Sequence, residues 1–514
     1  MSGAVYEPER VPARPAQDRG NPRAVLLWFL ALPFLASLVF VLFFLLGARG
    51  GKAAVLAMAA LTGVVCFIPV ILDQGRAASH RHLMLSLFGL GYLVYMVAPP
   101  FTLYAFEDIV EEPGSVSILH VLPGDVLWGQ VAALAALVSF LAAYGLPAGR
   151  RLGRALPAPR REWSEAATVT VSLGLIGLGW VFFLGNQFGF IPGWLGSGVL
   201  GAISGSTIFG LALLAIAYLK DGSRAAFLLL LVIIPPTMFF NFFTGSKTLF
   251  LAPLMMVAYA YVVVRRRIRA RWLIPGILLI ALYYPVAQFH REVILRGNTL
   301  GAGDVIGDAG EILSATASYA QSFRFVDYLG DGIRMTSGRL EGLGVLSVIV
   351  RDTPDKVPYQ GGWTLSYIFL SYVPRLLWPN KPPMTIGHWV TAMYGPGPIP
   401  SNTGPTWMGE LYFNFGFPGL VLGMALLGIW FRVLHEMFFR PNATIPALLV
   451  GAVVIFCTVP SLQGGVLGPI NGVTYLATPI LLTHFAICML TRPPRQPRAF
   501  PPPDLARGGA RGGV

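Results

Sequence analysis

Four stretches of this 514-residue chain set charged side chains against long apolar runs. Phe243-Thr-Gly-Ser-Lys-Thr248 places Lys247 on a turn between two such runs. Gln288-Phe-His-Arg-Glu292, with Arg296 shortly after, gathers two guanidinium groups beside His290. Ser371-Tyr-Val-Pro-Arg-Leu-Leu-Trp-Pro-Asn-Lys-Pro-Pro383 sets Arg375 and Lys381 among Pro374, Pro379, Pro382 and Pro383, which stiffen the backbone around both cations. Ser401–Gly416 carries Glu410 just inside the next apolar run, where an ionised carboxylate is expensive and normally paired or functional. Arginine grips phosphate oxygens through a planar fork, and a carboxylate or imidazole takes a proton from an attacking hydroxyl. The residues therefore point to diphosphate binding by Arg291, Arg296, Arg375, Lys381 and Lys247. Glu410 and His290 are alternative general bases, with His388 weaker in its Gly-His-Trp setting. Each has a plainer reading. Lys247 snorkels to head groups, Arg291 pairs with Glu292 as an anchor, Glu410 is a favourable charge at a helix start, and His388 is a surface or packed histidine.

The elements that must position these residues are membrane spans. The chain is 55% apolar and 12% charged with mean hydropathy +0.66, whereas a soluble domain is nearer 25% charged. That excludes a soluble enzyme. Apolar runs predict twelve spans, near 24–46, 53–72, 83–98, 126–146, 167–189, 198–218, 225–244, 248–264, 272–289, 407–431, 445–460 and 470–490. The first is too long for a signal-peptide core and is read as a span that stays. Cys66, Cys457 and Cys488 all lie inside apolar runs, so they offer neither a disulfide framework nor a metal motif.

With both termini cytoplasmic, most of the 37 Lys and Arg residues fall in the inner segments, densest at Arg150–Arg161 and Arg265–Arg271. The outer segment 99–125 has none and carries Glu107, Asp108, Glu111, Glu112 and Asp125. The net charge of +13 thus reports orientation, not nucleic-acid binding. The organisation is a disordered cytoplasmic tail over 1–23, helices one to nine over 24–289, an outer cap over 290–406, helices ten to twelve over 407–490, and a second disordered tail over 491–514. In the cap, 304–329 and 338–350 read as amphipathic helices, and 363–378 as an interfacial or re-entrant helix. Its tyrosines and tryptophans suit either sugar stacking or an interfacial belt. Gly245-Ser-Lys247 lacks the glycine spacing of a nucleotide loop. The acidic set after the third span lacks an Asp-x-Asp, and no metal is assigned.

Together these segments resemble the Wzy-type O-antigen and exopolysaccharide polymerases, over about residues 240–430. The likeness rests on Gly245-Ser-Lys247, His290-Arg291, Pro374-Arg375 with Trp378-Pro-Asn-Lys-Pro382, and Gly409-Glu-Leu-Tyr412 running to Asn414-Phe-Gly416. Some members carry an Arg followed by a Gly eleven positions later in two separate outer loops. Arg296 with Gly307 and Arg351 with Gly362 match here, but both lie in one loop. The resemblance implies an all-α, GT-C-like polytopic membrane protein of about twelve transmembrane helices with a helical periplasmic cap, in a bacterial inner membrane. It implies a glycosyltransferase that joins undecaprenyl-diphosphate-linked oligosaccharides without a cofactor, among membrane lipids and alongside a chain-length regulator. Two rival classes remain: a flippase or transporter for the same lipid-linked glycan, and an O-antigen ligase. Transporters usually show two related halves, and no repeat is evident here.

Overall fold

The computed structural model describes residues 51–74, 81–104, 121–187, 190, 203, 205–243, 246–267, 270–290, 302–321, 324–339, 342–373, 377–378, 380–382, 386–395 and 403–490. Among these the chain is helical and has no strand, and nine helices are long and apolar enough to cross a membrane. They are α1 (Lys52–Gln74), α2 (Leu83–Leu103), α3 (Pro123–Gly145), α5 (Glu165–Gln187), α7 (Arg224–Phe242), α8 (Lys247–Arg265), α15 (Thr406–Phe438), α16 (Ile445–Thr458, extended by a 3₁₀ turn to Gln463) and α17 (Leu467–Leu490). Each answers one of the expected runs. The run at 24–46 lies outside the described residues. The run at 198–218 meets α6 (Ser206–Asp221), whose 16 residues extend about 24 Å and are buried from Ser206 to Ala217. The run at 272–289 meets α9 (Ala270–Phe289).

Local chemistry explains the breaks between these helices. Ser223 and Ser246 cap α7 and α8 by accepting from Ala226 N and Leu249 N, both at 3.3 Å. Gly222 ends α6 at φ +74°, which a residue without Cβ adopts freely. In α2 the helix widens to a π turn over Leu93–Val97, just before Pro99 and Pro100. A proline removes a donor and crowds the carbonyl four residues back, and the wider turn absorbs both defects.

Close backbone approach holds the bundle together, as expected where lipid supplies no hydrophobic drive between helices. A Cβ on Gly428 of α15 would sit 2.3 Å from Phe140 O of α3. One on Gly210 of α6 would sit 2.7 Å from Ser172 O of α5. Around the α3–α15 crossing, Phe88 stacks on Phe140 at 3.9 Å, and Phe431 and Trp407 close the cluster.

The segments expected to face the cytoplasm knit together at one end. In α4 (Pro147–Ala155), Arg154 pairs with Glu436 at 3.1 Å, and Glu436 also holds Arg432 at 2.7 Å. Arg440 reaches Gly153 O, Arg266 reaches Arg440 O, and Lys220 pairs with Glu162.

At the opposite end lie α10 (Ala302–Gln321), α11 (Phe325–Arg339) and α12 (Gly342–Asp352), so the helix expected over 304–329 is two helices and the one expected over 338–350 starts at Gly342. α12 is packed inside the bundle over most of its length. Residues 342–349 are all buried, and Gly129 of α3 lies against Ser347 closely enough that a Cβ would meet its Oγ at 2.2 Å. Its charged residues, Arg351 and Asp352, lie at its end, and the turns before them dock into the bundle. Among the described residues of the stretch 363–378 the helix is the eight-residue α13 (Trp363–Leu370), too short to cross. It is followed by α14 (Gly387–Tyr394).

At the end of α12, Arg351 grips Asp352 with Nε and Nη2, both at 2.8 Å, and Lys356 Nζ adds a third bond at 2.7 Å. The Arg351 fork, aided by Lys356, holds the Asp352 carboxyl below the usual carboxylate range. A carboxylate depressed in the folded state stabilises it above its ordinary pKa and loses that contribution as pH falls through the folded value. Acidification from about pH 7 to about pH 5 therefore leaves this anchor intact, and it is released below about pH 4. Tryptophan fluorescence through an acid titration should show that release in the wild type. Asp352→Asn should lack the step.

Candidate functional site

Glu410 sits in the second turn of α15, and two unusual backbone positions bracket it. Thr406, a β-branched residue, has φ +64°, and its Oγ1 accepts from Gly409 N at 3.0 Å. Gly416 has φ +66° and ψ −160°, a region only glycine occupies comfortably, and it splits the helix in two. The segment between them presents Glu410 and Asn414 on one face, four residues apart.

The Glu410 side chain has no solvent exposure. Its Oε2 accepts from Val466 N at 2.6 Å, and its Oε1 has no hydrogen-bond partner among the described residues. Val466 belongs to the turn between α16 and α17, where a Cβ on Gly465 would lie 2.5 Å from Oε2. Asn414 ties a second turn to this face. Its Oδ1 accepts from Gly362 N, while its Nδ2 donates to Thr364 Oγ1 and to Glu410 O, all at 2.8 Å. Gly362 has φ +87°, and a Cβ there would meet the Phe415 ring at 2.6 Å. The Gly of the Arg351–Gly362 spacing thus has a definite use: it delivers an amide to Asn414 where a larger residue would not fit. Buried polar atoms are almost always satisfied, so an open carboxylate oxygen in this setting is the most distinctive chemical feature among the described residues.

Lys381, expected to bind diphosphate, is buried and turned back on its own loop, donating to Ser371 O at 2.7 Å and Val373 O at 2.8 Å. Ser371 is in turn bound by Asn471 of α17. The Lys381 loop and Glu410 therefore meet the same start of α17, one through Asn471 and the other through Val466. Arg375, in the middle of that loop, lies outside the described residues.

The other two described candidates form a second group. Lys247 opens α8, donates to Gln288 Oε1 at 2.7 Å and lies 3.4 Å from the centroid of the Tyr284 ring. It faces α9 rather than reaching outward. His290, at the end of α9, is buried against Phe242 at 4.8 Å and Phe243 at 6.4 Å, and neither ring nitrogen has a hydrogen-bond partner among the described residues. Burial lowers the His290 pKa, favouring the neutral ring that a base requires. Arg291 and Arg296 lie outside the described residues. Among the described residues no hydrogen bond joins the His290–Lys247 group to Glu410.

His388 is exposed on α14, as its plainer reading held. The aromatic set divides: Trp407 is wholly buried in the helix core and Tyr394 is buried, whereas Tyr359 and Tyr372 are exposed. Tyr394 bonds Thr353 at 2.7 Å, and burial pushes its hydroxyl up to about 12. No group of three or more His, Cys, Asp or Glu side chains among the described residues could hold a metal ion.

Sequence reasoning missed Thr364 and Gly465 as parts of the site, and met Gly362 only through its spacing from Arg351. The i, i+4 spacing of Glu410 and Asn414 was a second usable signal. Gly465 offers a direct test, because its φ lies outside the left-handed region and the clash of a new Cβ is with the flexible end of Glu410. Gly465→Ala should displace the carboxylate and its bond to Val466 N while leaving the helices in place. The expected result is about tenfold slower turnover, since small misplacements of reacting groups are costly, with a melting temperature in detergent lowered by a few degrees as the bond to Val466 N is lost. Comparison with family models, with curated proteins and with solved structures gives no match.

Proposed function

We propose that the chain is a membrane glycosyltransferase that joins polyprenyl-diphosphate-linked oligosaccharide repeat units into a longer glycan. In this reading it has twelve spans in a GT-C-like arrangement, both termini and the arginine-rich end face the cytoplasm, and Glu410 works at the outer face of a bacterial inner membrane. The acceptor hydroxyl attacks the anomeric carbon of the donor, and Glu410 takes its proton. The new glycosidic bond forms as the bond to the diphosphate breaks, and the lipid diphosphate leaves with the electron pair. Cations aimed at that developing charge are the second requirement. Arg291, Arg296 and Arg375 are assigned to it, whereas Lys381, directed at Ser371 O and Val373 O, and Lys247, directed at Gln288 and the Tyr284 ring, are not.

The observation that carries this reading is the buried Glu410 carboxylate, held through one oxygen and open at the other. A carboxylate so placed is ready to accept a proton from a hydroxyl brought to Oε1. The test is purified protein in detergent with polyprenyl-diphosphate oligosaccharides: a ladder of longer glycans should form with no sealed compartment. A second reading, a transporter of the same lipid-linked glycan, draws on the break in α15 at Gly416, since discontinuous helices line many transport sites. A transporter would leave glycan length unchanged in detergent and would move the lipid across a liposome bilayer.

A further inference from the structure

We infer that α4 is a docking face for anionic phospholipid, its arginines taking head-group phosphates while Leu152 enters the acyl boundary beside them. The chain leaves little choice about where this helix lies. The spanning helix α3 ends at Gly145, Leu146 is extended, and Pro147 opens α4, so α4 starts at the level where a span ends. Its inner side is fixed by two glycines one turn apart. A Cβ on Gly149 would sit 2.7 Å from Arg432 Cβ, and one on Gly153 would sit 2.7 Å from Glu436 Cβ, so the α4 backbone presses on the last turns of α15. The Arg154–Glu436 pair at 3.1 Å and the bond from Arg440 to Gly153 O hold that contact.

With one side fixed, the helical repeat sets the other. Arg151 lies about 180° round α4 from the glycine contact, with Arg154 on one flank and Ala148, Leu152 and Ala155 on the other. Arg151, Ala148, Leu152 and Ala155 are all exposed, and the Arg154 side chain stays 56% exposed in spite of its ion pair. Leu146 and Leu156, at either end of the helix, are exposed as well. A helix with cations along one flank and apolar side chains along the next, held where a span ends, has the pattern of one that lies in the membrane interface. The cations select the partner, because a guanidinium fork grips phosphate oxygens and a negatively charged leaflet draws arginine to its surface. The consequence reaches the far end of α15. Beyond Gly416 that helix rises about 33 Å, close to one hydrocarbon thickness. A lipid-bound α4 at one end of this segment therefore sets the depth of Glu410 beyond the other.

The experiment introduces a photocrosslinker at the exposed apolar position, as Leu152→benzoylphenylalanine, in the full chain held in nanodiscs of equal parts phosphatidylcholine and phosphatidylglycerol. Adducts are identified by mass spectrometry. Glycan elongation is not measured, so the outcome is independent of the chemistry assigned to Glu410. The expected result is a phosphatidylglycerol adduct about fivefold or more in excess over the phosphatidylcholine adduct, with that excess lowered about fivefold by Arg151→Gln and kept by Arg151→Lys, the effect of one charge near the surface. Equal adducts to the two lipids, or an excess that Arg151→Gln leaves unchanged, would overturn the inference. A crosslink to a second copy of the chain, or no lipid adduct at all, would overturn it too, since Leu152 would then face protein or water.

Discussion

Glu410→Gln is expected to lower glycan elongation about 10²–10⁴-fold, the contribution of a positioned general base, while leaving the protein folded in the membrane. Glutamine fills nearly the same volume, and its amide oxygen still accepts from Val466 N, so the contact made at 2.6 Å is retained. What is lost is the negative oxygen at Oε1, which has no partner among the described residues and so supports nothing in the fold. An unpaired ionised carboxylate in a dry site costs stability, so the variant should melt at the same temperature as the wild type or higher. Glycan ladders in cells lacking the native protein and melting curves of purified protein in detergent read both halves. Wild-type ladders would remove Glu410 from the chemistry.

The second large effect is on the fold. Gly416→Ala should destabilise the protein by about 2–3 kcal/mol, because φ +66° with ψ −160° is strained for any residue carrying a Cβ. The new Cβ would also sit 2.9 Å from the Tyr359 hydroxyl and 3.1 Å from its ring. Two responses are open to the chain: unfolding at a lower temperature, or straightening of α15, which would swing Glu410 and Asn414 off the turns that hold them. Either way elongation is lost together with thermal stability, whereas Glu410→Gln loses elongation alone. The pair of variants separates the base from the break that positions it. Pro418, two residues on, shows why the break belongs here. A proline cannot donate to the carbonyl of Asn414, and that carbonyl instead accepts from Gly361 N at 3.2 Å.

Most of the span pattern was legible because it depends on local composition: an apolar run long enough to cross hydrocarbon has few alternatives. Nine of the expected runs correspond to helices of suitable length and apolarity. The burial of α12 was not legible for a physical reason: it depends on Gly129 of α3, which lets Ser347 approach closely, and on Gly342, which meets Met96 and Thr406. Lys381 was equally opaque. Its ammonium is directed at the carbonyls of residues 371 and 373, and no spacing rule announces a lysine that binds its own loop.

By itself, the sequence determined that the chain is an all-helical protein of the membrane and that Glu410 is a carboxylate in an apolar run, because burial of apolar side chains and satisfaction of backbone groups in lipid are decided residue by residue. Only the tertiary structure decided what surrounds that carboxylate. Val466 lies 56 positions away in the chain and Gly362 lies 52 before Asn414. Hydrogen bonds over such separations exist only once α13, α15 and α17 have packed, since their direction depends on helix placement and not on which residues neighbour one another in the chain.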